Sequence, residues 1–232
     1  MIISVHQPQY IPWLGYFDKI AKSDCFVFLD RVQYKDREFQ NRNKIRTNRG
    51  PLWLTVPVAT KGQGRQDICD VLIDNDRPWR RQHLKSLKAW YAKAEFFGEH
   101  IKFFEETYAR DWKKLVDLNV HIVNHLLKQL AINKNIYFES SLNINAAKTD
   151  RIIEICRKLK ADTYLSGIGG KGYLEEEKFL EAGIKLAYQD FTHPVYRQQF
   201  MSGENDFMPY LSVIDLLFNE GIKSLEILGL HS

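Results

Sequence analysis

Ile2-Ile3-Ser4-Val5-His6-Gln7-Pro8-Gln9-Tyr10-Ile11-Pro12-Trp13-Leu14-Gly15-Tyr16-Phe17 is the stretch whose reading decides the fold. Its first residues are apolar and β-branched, which suits a buried strand. Pro8, Pro12 and Gly15 then forbid regular structure until about Leu14, so a shaped loop follows. Residues 16–23 can coil as a short helix with Phe17 and Ile20 on one face. Cys25-Phe26-Val27-Phe28-Leu29 reads as a second buried strand, ending at Asp30. Strand, loop, helix, strand is the βαβ unit of an open α/β sheet. Ligands of such sheets gather at the carboxyl ends of the strands, where the loop and Asp30 would both sit.

The loop carries more chemistry than a connector needs. His6, Gln7, Tyr10 and Trp13 set an imidazole, an amide and two rings beside a helix start that can receive an anion. The plainer reading packs Trp13, Tyr16 and Phe17 under the sheet, the usual fate of a lone aromatic. Beyond Asp30, residues 31–46 are dense in cations and amides. Gln33, Lys35, Asn41, Arg42, Asn43 and Arg46 are candidate ligand-binding residues there, with Arg42 and Arg46 able to grip phosphate or carboxylate bidentately. A solvated hairpin is the alternative. Residues 53–58 read as a strand with an edge-type Pro57, and residues 68–73 as another strand pairing with it antiparallel. Between them, Lys61-Gly62-Gln63-Gly64-Arg65 suits either a backbone anion wrap or a flexible hairpin tip.

Residues 77–131 change character to helical spacing, opening at Pro78 and running through Trp79, His83, Leu87, Trp90 and Tyr91. Two further helices follow, the last from about Asp111. The chain therefore divides into an N-terminal half of an α/β domain at 1–76, a helical insert or cap at 77–131 and a C-terminal half at 132–232. Trp79 or His83 is expected at the cleft. His121 and His125 stand four apart without a third ligand and read as ordinary helix histidines.

From 148 onward the α/β alternation resumes. Thr149 is placed to cap a helix, and Thr163-Tyr164-Leu165 to form a strand. Ser166, Gly167, Gly169, Gly170, Lys171 and Tyr173 make a glycine-rich loop ahead of a helix, suited to holding phosphate on backbone N–H groups. After the strand at 184–188 comes His193-Pro194-Val195-Tyr196-Arg197-Gln198. His193 is an acid–base candidate there, with Tyr196 and Gln198 as ligand contacts. Residues 208–219 read as a helix ended by Gly221 as a C′ residue.

Composition sets the outer limits. A chain of 232 residues with 44% apolar or aromatic residues supports one sizeable domain, with or without an insert. A formal charge of +4 is far from the dense basic patch of a nucleic-acid binder, so none is expected as a partner. The three cysteines lie scattered in apolar contexts, as buried thiols of a reducing compartment do. No tightly bound metal is expected. No apolar run reaches the ~18 residues of a membrane span, and a cytoplasmic location follows as the expectation.

His6-Gln7-Pro8-x-Tyr10-x-Pro12-Trp13-x-Gly15-Tyr16-Phe17, Asn41-Arg42-Asn43, Trp53-Leu54-x-Val56-Pro57-Val58, Tyr164-Leu165-Ser166-Gly167, His193-Pro194-x-Tyr196-x-Gln198 and Leu211-Ser212-x-x-Asp215-x-Leu217-Phe218-Asn219-x-Gly221 together resemble the WbqC-like family. The resemblance implies a place in bacterial surface-polysaccharide (O-antigen) biosynthesis and no settled reaction. A weaker likeness is to nucleotidyltransferases with an H-x-G-H loop after their first strand. Pro8 precedes Trp13-Leu14-Gly15-Tyr16 here, and both histidines are replaced. These likenesses imply a Rossmann-like α/β fold of the nucleotidyltransferase (HUP) kind, with a mainly parallel sheet and a helical insert. The expected ligand is a nucleotide or nucleotide-sugar. The expected activity is ATP-dependent activation of a carboxylate, with Mg²⁺ accompanying ATP, and transfer of the acyl or aminoacyl group to an amino-sugar, with His6, His193 and Asp30 as catalytic candidates. The alternative is a non-catalytic nucleotide-sugar-binding or assembly protein of the same pathway, which loss of the two histidines favours.

Overall fold

The computed structural model describes residues 1–59 and 62–230. The expected βαβ unit is present: β1 Ile2–His6, α1 Leu14–Ala21 and β2 Cys25–Phe28, with β1 and β2 parallel and His6 level with Phe28. Three more strands complete a parallel sheet: β5 Asn135–Phe138, β6 Thr163–Ser166 and β7 Lys185–Tyr188. The order is β5-β2-β1-β6-β7. The chain thus builds outward from β1 to β5, then crosses back to β6 on the other side. That reversal makes the gap between β1 and β6 the topological switch point of a doubly wound Rossmann-like sheet.

Both faces of the sheet are covered, as a parallel sheet requires. Ile3, Val5, Cys25 and Val27 alternate onto one face, against α5 Lys148–Lys158 and α6 Glu176–Glu181 through Ile152, Ile153, Ile155, Cys156 and Phe179. Phe26 and Phe28 point the other way, against α1 residues Leu14, Phe17 and Ile20 and the helices α4 Leu115–Gln129 and α7 Val213–Glu220. The two-residue period of the strands therefore divides the core in two. Each fully buried Phe, Leu or Ile contributes roughly 1.5–3 kcal/mol.

Between β2 and β5 the chain makes one long excursion. It holds an antiparallel hairpin, β3 Arg42–Thr47 with β4 Gly50–Thr55, and then α2 Trp79–Tyr91, α3 Phe97–Ala109 and α4. Gly50 turns the hairpin at φ +114°, with the Thr47 hydroxyl donating to its carbonyl at 2.7 Å. A four-residue helix, α8 Ser224–Ile227, follows α7.

Several local expectations change. Residues 42–47, read as ligand-binding with a hairpin as the alternative, form β3 of a hairpin, because Asn43 and Ile45 alternate inward. The strand expected at 68–73 is a single 3₁₀ turn, Ile68–Asp70, followed by isolated bridges. Ile68 and Val71 are both fully buried, a three-residue spacing that a strand cannot satisfy. The third helix of the middle region starts at Leu115, four residues beyond Asp111, and α7 starts at Val213. Thr149 does not cap α5; its hydroxyl instead accepts from the Glu175 N–H at 3.2 Å, tying α5 to the approach of α6. Gly221 closes α7 at φ +52°, where any Cβ would meet the Phe96 ring. Of the glycine-flanked turn at 61–65, Lys61 lies outside the described residues.

Candidate functional site

At the switch point a cleft of about 410 Å³ opens between the ends of β1, β6 and β7. His6, Trp13, Gly15, Tyr16 and Lys19 form one wall, Gly167–Gly169 a second, and Gln189, Asp190, Phe191 and Tyr210 a third. Local sequence explains each wall. Pro8 and Pro12 keep residues 7–13 from coiling until Trp13 enters α1, where Gly15 lets the Trp13 indole lie against the helix backbone. A Cβ on Gly15 would stand 2.2 Å from that ring. Phe191 meets Trp13 edge-on at 5.5 Å, and Tyr210 lies tilted against it at 5.7 Å. Gln189 anchors β7 to α1 by donating to the Gly15 carbonyl at 2.8 Å and to Asp18 at 2.6 Å. Ile11 and Tyr210 both hold positive φ, +38° and +60°, so the loops on two sides of the cleft carry backbone strain.

His6 is the imidazole at the cleft. Its Nδ1 lies 3.2 Å from the Gln7 carbonyl, which only accepts, so Nδ1 carries the proton and Nε2 keeps the lone pair. Burial and the neighbouring charge of Lys19 push its pKa down to about 3, so the ring is neutral. Tyr16 packs edge-on to it at 4.9 Å and donates to the same Gln7 carbonyl at 3.2 Å. Lys19, one turn after Gly15, is 3% exposed, and its Nζ donates to the Val5 carbonyl at 3.2 Å. Burial alone pulls its pKa down to about 7. Asp18, next to it, is already engaged by Lys22 at 2.9 Å and by Gln189.

His193 sits behind the aromatic wall, 5.3 Å from the Tyr210 ring and 6.0 Å from Phe191. Its Nε2 accepts from the Tyr210 N–H at 3.1 Å and its Nδ1 donates to the Pro194 carbonyl at 2.9 Å. With both nitrogens engaged, the ring has no site free for proton transfer and acts to position Tyr210.

The remaining sequence candidates fall in three groups. Of the glycine loop, Gly167 and Gly169 line the cleft. The buried Ser166 and Gly170 lie beneath it, where a Cβ on Gly170 would strike the Ser166 hydroxyl. Lys171 turns outward over the Tyr188 ring at 5.1 Å, and Tyr173 is exposed. The loop folds into a 3₁₀ turn in which the Gly170, Tyr173 and Leu174 N–H groups bond back within the loop, and α6 begins with Glu176 and Glu177. Carboxylates at that helix start repel the phosphate expected there.

A second group is tied up in the framework. Gln7 accepts from Gln40 at 2.8 Å, and Tyr10 is fully buried against His83 and Tyr108. Asp30 holds the turn at Ser140, accepting from its N–H at 2.9 Å and its hydroxyl at 2.7 Å. Asn41 donates to Val56 and Asn43 to Ile11, both at 2.8 Å. Arg46 is 5% exposed and donates to Gln198 and to the Asp206 carbonyl, each at 2.8 Å. Gln198, Tyr196 and Tyr91 in turn donate to the fully buried Asp215 at 2.9, 2.9 and 2.6 Å. The third group, on the hairpin side, stays at the surface: Gln33 and Lys35 are exposed, and Arg42 stacks on Trp53 at 4.3 Å. Trp79 and His83 are buried beneath the loop, away from the cleft residues.

Sequence reasoning passed over Lys19, Gln189, Asp190, Phe191 and Tyr210. Lys19 had a signal: it shares a helical face with Gly15, on a short helix rich in apolar residues. Among the described residues no group of three or more potential metal ligands occurs, and no helix is long and apolar enough to cross a membrane.

The chain matches the uncharacterized protein Rv1507c of Mycobacterium tuberculosis (strain ATCC 25618 / H37Rv) at 33% identity over 223 residues, covering 96% of this chain and 95% of that protein. No solved structure matches it. The model of the WbqC-like protein family matches residues 7–227, which take in every residue lining the cleft except His6, and the chain belongs to that family.

Proposed function

We propose that the chain is a group-transfer enzyme of bacterial surface-polysaccharide (O-antigen) biosynthesis that binds a nucleotide or nucleotide-sugar in the switch-point cleft. The observation that carries this reading is the cleft itself. It sits where doubly wound sheets take nucleotides, and its volume falls in the small-molecule range. Trp13, Phe191 and Tyr210 give it faces for a base or sugar ring to pack on.

The chemistry proposed is activation and transfer. A carboxylate oxygen attacks the α-phosphorus of ATP, releasing pyrophosphate and forming an acyl-adenylate; Mg²⁺ arrives with the nucleotide. An amine of an amino-sugar then attacks the acyl carbon, AMP leaves, and the surplus ammonium proton passes to a base. His6 is that base. It is neutral and holds its lone pair on Nε2 at the cleft. The ligand's own negative charge opposes the Lys19 field, the smaller of the two causes that lower the basicity of His6.

The test is pyrophosphate release with ATP, Mg²⁺, amino acids or other carboxylates, and nucleotide-linked amino-sugars. Turnover should fall about 10²–10⁴-fold in His6→Ala while nucleotide binding survives. Unchanged turnover in His6→Ala rejects its role. If no pair in a broad panel consumes ATP although nucleotide-sugars bind, the enzyme reading fails and a binding protein is left.

A further inference from the structure

A lysine buried without a counter-charge is costly, and Lys19 is such a residue. It is 3% exposed, lines the cleft and has one hydrogen bond, to a backbone carbonyl. Among the described residues it makes no ion pair, and the adjacent Asp18 is taken by Lys22 and Gln189. An ammonium has three donors, so two remain for something else. A framework role would need only one donor, which an uncharged side chain supplies more cheaply. Lys19 also lies in the last turn of the short α1, whose first turn carries no acidic residue, in contrast to Glu176 and Glu177 on α6.

We propose that Lys19 is the binding residue for a phosphoryl group of the ligand, its missing counter-charge being the phosphate itself. This rests on the nucleotide reading of the cleft and deepens it: of the anion sites the sequence offered, it takes the β1–α1 side rather than the glycine-rich loop after β6. A bound phosphate restores the charged amine, so binding draws a proton from solvent wherever the empty site holds that amine partly neutral. The other charged or titratable groups around the cleft are His6 at the end of β1, Tyr16, Asp18 and Lys22 on α1, Asp190 after β7, and His193 and Tyr210 on the aromatic wall. All of them are kept in the variants below; His6, whose basicity the Lys19 charge lowers, is the one whose titration shifts with the substitution, and burial keeps it low in every variant.

The experiment is calorimetric titration of wild type, Lys19→Gln and Lys19→Met with inorganic pyrophosphate, ATP and UDP-N-acetylglucosamine at pH 6 to 9, beside thermal melts of the empty proteins. Lys19→Gln keeps a donor for the Val5 carbonyl; Lys19→Met keeps only the length. Expected are a roughly ten- to hundredfold loss of affinity in both variants at pH 6 and melting points equal to or above wild type. The wild-type advantage should shrink by up to about tenfold per pH unit above pH 7. Equal affinity of variant and wild type for every phosphate ligand overturns the assignment while leaving the nucleotide reading intact. Melting points several degrees lower with affinity retained make Lys19 a framework residue. Binding of pyrophosphate but of neither nucleotide supports the phosphate site and sinks the nucleotide reading. If wild type binds none of the three, the phosphate assignment falls.

Discussion

Arg46→Met should destabilise the protein without touching the cleft. The guanidinium donates to the Gln198 side chain and the Asp206 carbonyl at 2.8 Å, with a longer contact to the Phe200 carbonyl at 3.5 Å. Methionine fills the volume and donates nothing. Gln198 Oε1 keeps the Met208 N–H at 2.9 Å, so the true orphans are the two carbonyls of the 200–206 segment. Two hydrogen bonds to a charged group, at about 1.5–3 kcal/mol each, give a loss of roughly 3–6 kcal/mol. Asp215, held up by burial, also loses the positive charge that favours its carboxylate. At this chain length each kcal/mol moves the melting point by about 2–4 °C, so a drop near 10 °C is expected by differential scanning calorimetry. Nucleotide affinity, measured below the transition, should stay within about twofold. An unchanged melting point with a tenfold or greater loss of affinity would refute this and return Arg46 to the ligand, as its sequence context had suggested.

Gly15→Ala drives a methyl into the Trp13 ring; overpacking of about 1–3 kcal/mol should displace the indole, change the intrinsic fluorescence and weaken nucleotide binding. The fluorescence change should vanish on a Trp13→Phe background, and a spectrum and affinity like wild type would show that the ring does not rest where described. Asp30→Ala orphans the Ser140 N–H and hydroxyl and should cost about 2–3 kcal/mol by urea unfolding. A turnover defect in that variant without a stability loss would instead give Asp30 a chemical role.

The sheet was legible wherever apolar runs were bounded by breakers. Ile2 to Val5 and Cys25 to Leu29 announced themselves, and the loop between them located one wall of the cleft. Asn135-Ile136-Tyr137-Phe138 did not, because an edge strand of four residues with alternating partial exposure leaves little periodic signal. Polar residues misled for a different reason. Asn41, Asn43, Arg46 and Gln198 look like ligand-binding chemistry, yet each satisfies a buried backbone or carboxylate group, and only coordinates reveal which partner an amide has chosen. Lys19 erred in the opposite direction, since a lysine inside a helix reads as solvated until its burial is known. Tyr210 of the third wall was out of reach because it arrives through the bridge of Trp13 to Ser212, a pairing across nearly the whole chain.

The position of β1 has a consequence for synthesis on the ribosome. It is the central strand, yet it is made before the other four; β2 follows within a few tens of residues, whereas β6 begins only at Thr163. At about 5–20 residues per second, one long edge of β1 waits on the order of 10–30 s for its partner. Throughout that interval Ile2, Ile3 and Ser4 present unpaired backbone on the side β6 will later occupy. A nascent chain stalled in the middle helices would therefore hold a half-built sheet open at its centre. That is the stage at which a holding chaperone would find most to bind, and truncations ending before residue 163 should aggregate through that edge.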